Sequence, residues 1–88
     1  MNTISRMEEK LAALAPESLD IHDESAQHAG HAGAKSGGGH YWLAITSKQF
    51  EGQPTLARHR MIYAALGDMM QKEIHALSIQ AYTPEDSV

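Results

Sequence analysis

A chain of 88 residues with a net charge of −4, 42% hydrophobic and 20% charged side chains has the ordinary composition of one small globular domain with a thin core. It contains no cysteine, which excludes disulfides, thiolate metal ligands and a thiol nucleophile. An acidic chain does not attract phosphate backbones as a whole, so non-specific nucleic-acid binding is disfavoured. No apolar run approaches the roughly 20 residues that span a bilayer. Met1 to Lys10 carries two acids and lacks the apolar core of a secretory signal. A soluble, cytoplasmic protein that does not engage membranes is the expectation.

Ile4, Met7, Leu11 and Leu14 recur at spacings of three and four, which predicts a first helix over Thr3 to Leu14. Thr3 offers an N-cap, and Ser5 with Glu8 has capping-box spacing, so either can start it. Pro16 stops it, because the residue before a proline is pushed out of the helical region. Ser18 to Glu24 then alternates, with Leu19 and Ile21 on one face and Asp20 and His22 on the other. That is the pattern of a half-buried strand.

A loop over about 25–39 comes next, too long and too rich in glycine for a tight hairpin turn, and is expected to be flexible. His40 to Ser47 predicts a second strand, antiparallel to the first, with Tyr41, Leu43 and Ile45 on one side. Trp42 is out of phase with Leu43 and Ile45. That points it to the sheet face without helices, or to an edge packed under the loop. Phe50 to Pro54 reads as a turn, with Thr55 able to cap the next helix. Leu56, Ile62, Tyr63, Leu66, Met69 and Met70 make a helical stripe, leaving Arg58, Arg60 and Asp68 for solvent. Gly67 costs about 1 kcal/mol relative to alanine inside a helix, so it divides one helix from a shorter second one. Ile74 to Tyr82 alternates as a final strand, and the acidic tail 83–88 ends the fold. Helices on one face of three strands make an α+β two-layer sandwich.

Histidine carries the chemical signal. Four of the six fall within nineteen residues, as His22, His28, His31 and His40, and His75 opens the last strand. Neutral imidazole both ligates borderline metals and titrates near neutrality. A loop bearing histidine, with another histidine on a rigid strand, offers a metal a partial site that needs ligands from elsewhere. His22 and His40 flank the loop and read as solvent-facing, or as adventitious chelators together with His28 and His31. His59, in phase with Leu56 and Ile62, reads as structural, bridging helix and sheet by hydrogen bonds. His75, in phase with Leu77 and Ile79, reads from its position alone as either a partly buried structural histidine or a ligand.

Six segments in order carry a family resemblance: Asp23-Glu24-Ser25, His28-Ala29-Gly30-His31, Gly39-His40-Tyr41, Phe50-Glu51-Gly52, Arg58 to Leu66, and Ile74-His75-Ala76-Leu77-Ser78-Ile79. Each is weak alone, but their order and spacing resemble the BolA-like proteins over nearly the whole chain, as a single domain 1–88. The resemblance implies a type II KH-like αββααβ fold with a three-stranded mixed sheet, monomeric when free. It implies pairing with a monothiol glutaredoxin, whose active site reads Cys-Gly-Phe-Ser, and a shared 2Fe–2S cluster. The cluster's ligands would be the glutaredoxin cysteine, a glutathione thiol and histidine from this chain. The family's invariant histidine falls on His75. Its variable loop position falls on His28, with His31 as a possible substitute.

Histidine replaces thiolate in Rieske-type centres and raises their potential, so a chain without cysteine suits completion of a partner's cluster. A non-enzymatic adaptor in iron–sulfur trafficking or iron sensing, with a place in stress response, is the leading expectation. The alternative is a nucleic-acid-binding transcriptional regulator that uses the KH-like fold to engage DNA. Arg58, Arg60 and Trp42 are the candidate partner or nucleic-acid contacts. Against that alternative, the Gly-x-x-Gly loop with which a KH module clamps backbone is missing between the two helices. An enzyme is not expected: Asp23, Ser25 and His28 share one loop without a rigid frame to hold attack geometry.

Overall fold

The structure, a computed structural model, describes residues 2–25 and 39–86. Helix α1 (Thr3–Leu11) runs into a 3-10 turn (Ala12–Leu14), followed by strands β1 (Ser18–Asp23) and β2 (Gly39–Thr46). A second 3-10 turn (Lys48–Phe50) leads to helices α2 (Thr55–Leu66) and α3 (Met69–Lys72), and strand β3 (Ile74–Tyr82) completes the αββααβ order. The sheet order is β1-β2-β3. β1 pairs with β2 antiparallel, and β2 with β3 parallel. Parallel neighbours require a crossover connection, which α2 and α3 supply. The expected mixed three-stranded sheet is therefore present.

The helices cover one sheet face. Met7 and Leu11 of α1, Leu14, Phe50, Ile62 and Leu66 of α2 and Met69 of α3 bury against Tyr41, Leu43, Ile45 and Ile74. Ser47 is fully buried and joins the two layers. Its hydroxyl donates to the Leu14 carbonyl at 2.6 Å, and its amide donates to the Tyr82 carbonyl at 2.9 Å.

Local details depart from the pattern that spacing suggests. The N-cap of α1 is Asn2, whose Oδ1 accepts from the Ser5 amide at 2.8 Å; neither Thr3 nor a Ser5–Glu8 box starts the helix. Thr55 is the first helical residue of α2, and the cap position belongs to Pro54, which has no side-chain acceptor. Gly67 ends α2 with φ of +60°, in the region that favours glycine, and separates it from α3 as expected. Two members of the expected stripe face solvent: Leu56 is 62% exposed and Tyr63 41%. Ile62 and Leu66 are the buried residues of α2, so only part of that stripe reaches the core.

Candidate metal centre beside the β1–β2 connection

Residues Asp23, Glu24 and Ser25 fold so as to close the base of the β1–β2 connection. The Ser25 amide donates to Asp23 Oδ1 at 2.9 Å. That bond, with the Ser25 hydroxyl, holds the Asp23 carboxyl below the usual carboxylate range. The Ser25 hydroxyl oxygen accepts from the His40 amide at 3.0 Å, and the Glu24 amide donates to the His40 carbonyl at 2.7 Å. On the other side the Gly39 amide donates to the Glu73 carbonyl at 2.9 Å. These bonds bring the end of β1, the start of β2 and the start of β3 together.

The parallel ladder contains an irregularity at this point. Gly39 pairs with Ile74 but His40 pairs with Ala76, so β3 carries one extra residue there. Such a bulge breaks the strict alternation of faces. Ile74 is buried, His75 and Ala76 are exposed, and half-burial resumes at Leu77 and Ile79. His75 is thus not in phase with Leu77 and Ile79 as the sequence suggests. The bulge sets it apart from the helix-covered core and in solvent, and a partly buried structural role does not apply.

His40 alternates with the buried Tyr41 and so lies on the face without helices. Its ring centroid is 5.2 Å from that of His75, with the planes tilted by 50°. Sequence reasoning did not bring these two together. The missing signal was the parallel register, which no local pattern encodes. His22 is elsewhere on the same face. Its ring lies 5.3 Å from its cross-strand partner Trp42, and its Nε2 is 3.1 Å from Asp20 Oδ2. Trp42 therefore occupies the uncovered face. His28 and His31 lie outside the described residues. Among the described residues no group of three or more His, Asp or Glu side chains is gathered for a metal. The two imidazoles of His40 and His75 leave half of a four-ligand shell to be filled from elsewhere.

The remaining candidates separate clearly. Arg58 is not left for solvent, as the sequence suggests: its side chain is only 18% exposed. Its Nε donates to the Gln53 carbonyl at 2.8 Å. Its Nη1 donates to the Ala81 carbonyl at 3.1 Å and to Asp86 Oδ2 at 3.0 Å. Those bonds tie α2 to the end of β3 and to the tail, so Arg58 is a structural clasp. Arg60 is exposed. His59 is half-buried and makes no hydrogen bond to the sheet among the described residues, which removes the bridging role expected of it.

Comparison with known proteins agrees with this architecture. The model of the BolA-like protein family matches residues 11–86. The chain is 46% identical to the chloroplastic protein BOLA1 of Arabidopsis thaliana, over 98% of this chain and 56% of that one. It is 42% identical to the DNA-binding transcriptional regulator BolA of Escherichia coli strain K12, over 89% of this chain and 72% of that one. The solved structure of BolA1 from Arabidopsis thaliana superposes with a TM-score of 0.85 at 44% identity, covering 100% of this chain and 98% of that chain. The chain spans about half the length of several curated relatives it matches. An α+β domain with histidines gathered where β1, β2 and β3 meet is the class that fold and site define. The chain belongs to the BolA-like family. No described helix is long and apolar enough to cross a membrane.

Proposed function

We propose that this chain is a non-enzymatic adaptor that completes a glutathione-containing 2Fe–2S cluster with a monothiol glutaredoxin. The observation that carries the reading is the placement of His75: a bulge holds its imidazole outside the core, in solvent, beside the base of the segment that bears His28 and His31. An exposed imidazole on a strand is a preformed ligand for a partner's iron, and cysteine is lacking here. His75 supplies the fixed nitrogen, and His28, with His31 as substitute, supplies the second. The thiolates come from the partner and from glutathione. The cluster is cargo shared between the two proteins, and this chain's part is to bind and orient it. Anaerobic mixing of the chain with a cluster-loaded glutaredoxin tests this. A heterodimer that retains the cluster and glutathione on size exclusion is expected, and elution of the two proteins apart would refute it.

A second reading has one observation in its favour: the Escherichia coli relative is named a DNA-binding transcriptional regulator. In that role Arg60, exposed on α2, would contact backbone phosphate. A gel shift with a random duplex at low salt distinguishes the two readings. Salt-sensitive binding that weakens in Arg60→Ala supports the regulator, and no binding removes it for the free chain.

A further inference from the structure

We propose that His40 and His75 form a binding site for a borderline divalent cation such as Zn2+ within the sheet of the free chain. Both imidazoles are carried by paired strands. His40 stands on β2 opposite Ala76, and His75 is the extra residue of the bulge in β3. Their ring centroids are 5.2 Å apart. A tetrahedral Zn2+ with two imidazole nitrogens at about 2.0–2.1 Å holds the two centroids about 5 Å apart. The parallel ladder therefore fixes the rings at the spacing such an ion needs. Neutral imidazole is a preferred ligand of Zn2+, Cu2+ and Ni2+, and no thiolate in this chain competes for them. His75 is exposed, so an ion approaches the pair from solvent. Water fills the remaining positions. His22 takes no part, being placed against Trp42 and Asp20.

Because the site uses His75, an ion held there blocks the same nitrogen from iron; that consequence rests on the adaptor reading, whereas the site does not. The test is titration of the full chain with Zn2+ at neutral pH, read by competition with a chromophoric chelator and by histidine ring resonances. One equivalent binds, and the ring signals of His40 and His75 shift together. His40→Gln and His75→Gln each weaken binding by about tenfold or more, the scale on which even outer-shell changes act at metal sites. The double variant His28→Gln/His31→Gln retains it. Binding that survives His40→Gln or is lost in the double variant overturns the proposal, as does a wild-type affinity no tighter than millimolar. Should His40→Gln not fold, the wild-type resonances decide: a shift of His75 without His40 overturns it. No glutaredoxin enters this experiment, so its failure leaves the adaptor reading standing.

Discussion

The rings of His40 and His75 lie 5.2 Å apart because a one-residue bulge in β3 displaces His75 beside the first residues of β2. His75 is exposed and packs outside the core. Its replacement should therefore cost little stability. His75→Ala is expected to change the unfolding free energy by no more than about 0.5 kcal/mol, as for surface substitutions generally. Urea denaturation measures this, and a loss above about 1 kcal/mol would contradict the placement. The same result makes His75→Ala a clean probe of ligation.

Gly39 is required by its neighbour. A Cβ at this position would lie 2.5 Å from Cε2 and 2.8 Å from the hydroxyl of Tyr41, whose ring is buried in the core. Gly39→Ala forces that ring aside. Overpacking of this kind typically costs about 1–3 kcal/mol, and a lower urea midpoint at unchanged slope is the expected result. Equal midpoints would mean that the ring relaxes freely.

Arg58 and Arg60 should behave oppositely. Arg58→Ala strips an anchor from the Gln53 and Ala81 carbonyls and from Asp86. A loss of about 0.5–1.5 kcal/mol is expected, the net worth of a typical intramolecular hydrogen bond, because only the Ala81 bond is part-buried and the other two are exposed. Arg60→Ala, on an exposed position, should stay within about 0.5 kcal/mol. Thermal melts of both variants decide, and equal effects would remove the clasp assigned to Arg58.

The tail should respond to acid. The Asp86 carboxyl is held below the usual range first by the Thr83 amide, at 3.0 Å, and then by Arg58. A depressed folded-state pKa contributes stability that is present above the unfolded-state value and lost as pH falls through the folded one. The Thr83 amide resonance is therefore expected to titrate with a midpoint below that of an unstructured aspartate. Asp86→Asn should abolish this titration, and a midpoint in the ordinary range would contradict the tail geometry.

Much of this fold was legible in residue spacing. The alternation of Leu19 and Ile21, the run Tyr41, Leu43 and Ile45, and the break at Gly67 all report faces that the structure buries or ends as expected. Spacing failed where tertiary pairing decides. The bulge at His75 depends on how β3 aligns with β2, so sequence parity put the residue in phase with Leu77. The Arg58 clasp joins α2 to the end of β3 and the tail that follows it, 23 and 28 residues on, and an isolated arginine on a helix gives no sign of that. Leu56 and Tyr63 fit the helical period but face solvent because the core is small. The family resemblance came from the order of short motifs, and the family match over 11–86 agrees with it.

The most direct test of the adaptor reading is visible circular dichroism of anaerobic reconstitutions. Each would contain this chain, a monothiol glutaredoxin, glutathione, iron and sulfide, with wild type, His75→Ala and His28→Ala compared. A wild-type spectrum distinct from that of the glutaredoxin homodimer, and lost in His75→Ala, is the expected result. Retention of that spectrum in His28→Ala would pass the second ligand to His31 or to none. A wild-type mixture giving only the homodimer spectrum would contradict the adaptor role.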